Sequence, residues 1–65
     1  MKERMIKACS QVESFNRDLH RNKQGLAPFD SYQRKVREIA TENNVNFEIV
    51  LNYAIKNYRE SEVTL

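Results

Sequence analysis

The chain has 65 residues and a mass of 7.7 kDa, which allows one small domain and leaves no room for an internal repeat or a deep catalytic cleft. Apolar residues make up 40% and charged residues 31%, with a single Gly and a single Pro, so collagen-like, linker-like and turn-rich all-β chains are excluded. The net charge is only +2, and the richest apolar stretch, Phe47 to Ile55, is interrupted by Glu48 and Asn52, so neither the ~20-residue run of a membrane span nor the apolar segment of a signal peptide is found. A soluble, cytoplasmic, all-α domain spanning residues 1–65 is expected.

The first element is a helix over about residues 2–22. Met1, Met5, Ala8, Val12, Phe15 and Leu19 recur at alternating steps of four and three, a heptad-like seam on one helix face. Lys2, Glu3, Arg4, Lys7, Gln11, Glu13, Asn16, Arg17 and Asp18 fall between them, as a solvent face requires. The seam fades at His20 to Gln24, and Gly25 is the natural helix stop. The lone Cys9 lies on the apolar side, where it is expected to act as a small core or interface residue; it has no partner for an intrachain disulfide.

Gly25 to Phe29 reads as a connection, since Pro28 biases Ala27 away from helical angles. Asp30 or Ser31 is expected to cap a second helix over about 30–43, with Phe29 as a hydrophobic staple in front of it. Tyr32, Val36, Ile39 and Ala40 keep helical spacing there, with Gln33, Arg34, Lys35, Arg37 and Glu38 opposite. Asn43-Asn44 closes the helix because Asn tolerates the left-handed conformation, and Asn46 is placed to cap the next one.

The third helix, about 47–60, carries Phe47, Ile49, Val50, Leu51, Tyr53, Ala54, Ile55 and Tyr58 around most of its circumference. Two short helices are expected to leave part of that arc uncovered, so a partner chain should supply the rest, with Phe47, Val50, Leu51, Ala54, Ile55 and Tyr58 as the oligomer interface. A 65-residue domain without disulfides or metal also gains from self-association. A homodimer is therefore expected, with a frayed tail over residues 61–65.

Charge is distributed unevenly. Residues 17–37 hold Arg17, Arg21, Lys23, Arg34, Lys35 and Arg37 against Asp18 and Asp30, a local net of +4, whereas residues 38–65 are net −3. The six cations flank one bend and form the candidate nucleic-acid-binding set.

Val36-Arg37-Glu38-Ile39-Ala40-Thr41-Glu42-Asn43-Asn44-Val45-Asn46, followed by a helix carrying Ala54-Ile55 and Tyr58, resembles the helix pair of ribbon-helix-helix DNA-binding proteins. The resemblance covers about residues 30–60 and implies an intertwined dimer that buries the last helix against its copy. The family's DNA-reading strand would fall at residues 22–29, where Gly25 and Pro28 do not fit a paired strand. Laid instead on a helix-turn-helix window, the last helix would offer Phe47, Glu48 and Leu51 to the groove, a poor set for base edges.

Nothing points to catalysis. A single Gly excludes phosphate-cradling loops. Cys9 and His20 are eleven positions apart, about 16 Å along a helix, too far for a nucleophile–base couple. His20 is expected to be solvated at its helix end, with no carboxylate at metal-ligand spacing, while Glu38 and Glu42 form a solvated strip. No cofactor, metal or small-molecule substrate is expected. The leading expectation is a small dimeric regulator that binds nucleic acid through its basic surface. The alternative is a helical regulator or adaptor that modulates a partner protein, docking through the seam from Met1 to Leu19.

Overall fold

In the computed structural model, which describes residues 2–23, 25 and 28–64 (side chains through Ser61), three helices account for nearly all of the described chain: α1 Lys2–Arg21, α2 Phe29–Asn43 and α3 Phe47–Thr64. Each packs against the other two. Helix α2 runs antiparallel to α1, so that Asn43 meets Gln11 near one end and Tyr32 meets Asn16 further along. Helices α1 and α3 are parallel, as the matched pairs Glu13–Tyr53, Asn16–Asn57 and His20–Tyr58 show.

The core is built by the heptad-like seam of α1 and its counterparts. Ala8, Val12, Tyr32, Val36, Ile39, Ala40, Val50 and Ala54 are buried, with Met5, Phe15, Leu19, Val45, Phe47, Leu51, Tyr53 and Ile55 packed around them. Met1 lies outside the described residues. Among the described residues, Ile6, Phe29 and Ile49 are the exposed large apolar side chains.

The helix ends follow backbone chemistry closely at one end of the bundle. Asn44 adopts the left-handed conformation (φ 55°, ψ 48°), and its N–H and that of Val45 bond to the carbonyls of Thr41 and Ala40 at 3.1 and 3.0 Å. This paired arrangement satisfies carbonyls that the last helical turn leaves open. Asn46 then caps α3, its Oδ1 accepting from the Ile49 N–H at 3.1 Å.

The other end departs from expectation. Helix α1 stops at Arg21, and the left-handed residue is Lys23 (φ 58°), not Gly25, which has no positive φ. The Asn22 side chain bonds to the Asp18 carbonyl at 2.9 Å and so stabilises the stop locally. Helix α2 begins at Phe29, one residue early. No side chain caps it; the extended Pro28 (φ −74°, ψ 136°) presents its carbonyl to the N–H groups of Ser31 and Tyr32. Proline's fixed φ accomplishes what Asp30 or Ser31 was expected to do. The expected bias on Ala27 lies outside the described residues. Helix α3 continues to Thr64, past the expected end at residue 60.

Candidate functional site

All six candidate cations, Arg17, Arg21, Lys23, Arg34, Lys35 and Arg37, are exposed. Arg17 and Arg21 lie in the last turns of α1, Lys23 two residues beyond it and Arg34 five residues into α2, about 7–8 Å from its start, so these four surround the connected end of the α1–α2 hairpin. The other two are engaged elsewhere. Lys35 pairs with Glu38 at 3.9 Å and borders a surface hollow between α1 and α2 that it shares with Gln11, Ser14, Phe15 and Asp18. Arg37 places its guanidinium 4.6 Å from the centre of the Phe47 ring, on the side of α2 that faces α3. The six are thus one zone in sequence but not one patch in space. Among the described residues Lys35–Glu38 is the one ion pair, so Arg17, Arg21, Lys23 and Arg34 are not neutralised by an acid within contact distance.

What sets the direction of Arg17 is its neighbour. Asn16 is expected in solvent as a polar residue, yet it lies one turn after Val12 on the same side of α1 and is completely buried. Its Nδ2 donates to the Ala54 carbonyl and to Asn57 Oδ1, both at 2.9 Å, while the Tyr32 hydroxyl donates to its Oδ1 at 2.8 Å. One amide therefore ties all three helices together at the core. Both polar atoms it brings inside have partners, and among the described residues no buried side-chain N or O lacks one. Gln11 and Glu13, also expected in solvent, make further ties: Gln11 Oε1 accepts from Asn43 Nδ2 at 2.8 Å, and Glu13 accepts from the Tyr53 hydroxyl.

His20 is likewise no solvated end residue. Its ring stacks on Tyr58 with centroids 4.1 Å apart and 19° between planes, and its Nε2 lies 3.0 Å from the Tyr58 carbonyl. A carbonyl only accepts, so Nε2 carries the hydrogen in this arrangement. The contact holds the basic end of α1 against α3.

The residues expected to face a partner chain are distributed differently. Val50 and Ala54 have no exposed surface because α1 and α2 cover them, and Phe47, Leu51, Ile55 and Tyr58 are half-buried within the same chain. Two helices do cover most of the α3 arc, since α3 lies in the groove of the α1–α2 hairpin and is approached from two sides. Among the described large apolar side chains of α3, only Ile49 stands exposed. The α1 seam of the adaptor reading, Met5, Ala8, Val12, Phe15 and Leu19, is likewise committed to the chain's own core.

Titration follows the same contacts. Hydrogen bonding to Glu13, reinforced by burial, pushes the Tyr53 hydroxyl up to about 12, and burial does the same for Tyr32. Burial and then the nearby Glu13 charge raise the Cys9 thiol, which opposes thiolate formation. Among the described residues no cluster of three His, Cys, Asp or Glu side chains is placed to hold a metal, and no helix is long and apolar enough to cross a membrane. No known protein family, curated protein or solved structure matches this chain.

Proposed function

We propose that this protein is a small regulator of the transcription-regulator type that acts by binding nucleic acid, with Arg17, Arg21, Lys23 and Arg34 as its contact residues. The observation that carries the reading is the exposure of these four side chains around one end of the hairpin with no acid in contact. Phosphate contacts of this kind need charge and reach rather than a shaped pocket, and they support sequence-independent affinity of about 10⁻⁴–10⁻⁶ M at physiological salt. Lys35 and Arg37 contribute to the field at longer range, with their side chains occupied by Glu38 and Phe47. The resemblance of α2 and α3 to the ribbon-helix-helix pair supports DNA over other polyanions.

Fluorescence anisotropy with a labelled duplex tests this. Four phosphate contacts give a log–log salt slope near −3.6, so affinity should fall on the order of 10²-fold between 50 and 200 mM salt. Arg17→Glu, Arg21→Glu and Arg34→Glu together move the chain from +2 to −4 and should abolish binding while the far-ultraviolet circular dichroism stays unchanged. Salt-insensitive binding, or binding retained by the folded triple variant, contradicts the reading.

A further inference from the structure

Helix α1 carries a second periodic row. Lys2, Ile6, Cys9 and Glu13 follow at steps of four, three and four, one position after the core seam and therefore about 100° around the helix. Their exposure is graded along the helix. Lys2 is exposed, Ile6 is 66% exposed, and Cys9 and Glu13 are half-buried against α3. The parallel register of α1 and α3, offset by 38 to 41 residues in their hydrogen-bonded pairs, sets Ile49 at the level of Cys9. Ile49 is 56% exposed. Two exposed isoleucines on adjacent helices, one of them in the same row as Cys9, thus lie at the end of the bundle opposite Arg17, Arg21, Lys23 and Arg34.

We propose that this face binds a second copy of the same chain, with α1 antiparallel to its partner's α1 about a two-fold axis between Ile6 and Cys9. The charge order of the row favours a second copy as the occupant. An antiparallel pairing centred there sets Ile6 of each copy opposite the partner's Cys9, and Lys2 of each opposite the partner's Glu13. One cation, two apolar positions and one anion, read in reverse on the other copy, complement themselves at every layer. Ile49, at the level of Cys9, then meets the partner's Ile6. The Glu13 carboxylate accepts one bond from Tyr53 and has lone pairs left for an ammonium. The pairing uses neither the basic end nor the half-buried arc of Phe47, Leu51 and Ile55. It stands independently of the nucleic-acid reading and would place the two basic ends at opposite extremes of the dimer.

The face is small, so association should be weak, with Kd on the order of 10⁻⁴ M. Cys9 serves as the reporter. The dyad places the two Cys9 residues about 4.5 Å apart along axes about 8–10 Å apart; with each Cα about 2.3 Å off its axis on the facing side, their Cα separation is about 6–7 Å, within disulfide reach. A short bis-maleimide, and mild oxidation as well, should therefore join two wild-type chains. Sedimentation of the wild type at about 0.5 mM should show a substantial dimer fraction. Ile6→Lys should remove both the crosslink and the dimer. Lys2→Glu alone and Glu13→Lys alone should each weaken association by about tenfold, because each creates two like-charge contacts. Mixed one to one, the two variants should recover it, since their heterodimer restores both opposite-charge contacts; recovery cannot come from a fold defect in either chain. A wild type that is monomeric at 0.5 mM, a dimer indifferent to Ile6→Lys, or a mixture that fails to associate although both variants are folded overturns the proposal.

Discussion

Helix α3 packs against both α1 and α2, more extensively against α1, and what fixes the two contacts differs. Between α2 and α3 the chain itself does the work: only Asn44, Val45 and Asn46 separate them, and the left-handed Asn44 and the Asn46 cap set the angle of departure. Between α1 and α3 no short connection exists, and side chains 38 to 41 residues apart hold the register instead, through Glu13–Tyr53, Asn16–Ala54, Asn16–Asn57 and His20–Tyr58. Apolar packing alone tolerates sliding and rotation, because one methyl group substitutes for another at small cost. A buried amide with three partners does not. The polar ties therefore define which face of α1 looks outward, and with Asn16 locked inside, Arg17 and the positions that share its face point to solvent.

The sharpest way to break this comparison is Asn16→Ala. It leaves the Tyr32 hydroxyl without its acceptor and the Ala54 carbonyl and Asn57 without their donor, and should cost about 2–4 kcal/mol in urea unfolding followed at 222 nm. On the α2–α3 side, Asn46→Ala removes one cap and should cost about 1 kcal/mol. If Asn46→Ala proved the costlier of the two, the turn would be the dominant register device and the account of α1 would fail. A smaller effect of opposite sign is expected at Lys23, a side-chain-bearing residue at φ 58°. Lys23→Gly should raise stability by about 0.5 kcal/mol in the same assay, relief of the left-handed penalty exceeding the added freedom of the unfolded chain.

The smallest effect is a pH dependence. Tyr53 and Tyr32 titrate higher in the folded chain, at about 12, than their ordinary 10.0, so the fold favours the protonated hydroxyls. Their contribution is complete below pH 10 and is lost as pH rises toward 12. Tyr53→Phe should flatten the decline in stability across that window, measured by urea midpoints at successive pH values. An unchanged decline would mean that the Glu13–Tyr53 contact does not hold in solution.

This contrast also explains what could be read from the sequence. The three helices announce themselves through period, and the α2–α3 junction through two asparagines whose backbone and capping chemistry is local. The α1–α3 ties do not. Gln11, Glu13, Asn16 and His20 are polar residues flanking an apolar seam, a pattern shared by any solvated helix face, and their partners are distant in sequence. The apolar girth of α3 is legible in part: amino-acid type shows what must be covered but not that α1 and α2 approach from two sides. Of the candidate site, the exposure of the cations was legible from their spacing, whereas the diversion of Lys35 to Glu38 and of Arg37 to Phe47 required the packed helices.

The central claim, that polar ties hold α1 so that the hairpin end presents its cations to nucleic acid, is tested most directly by a ¹H–¹⁵N titration of the labelled protein with a short DNA duplex at about 50 mM salt. The account expects progressive shifts at Arg17, Arg21, Lys23 and Arg34, with the Asn16 side-chain amide unmoved and the residues around Ile6 and Ile49 silent. Shifts centred on Ile6 and Ile49, or a spectrum unaltered by duplex, would contradict it.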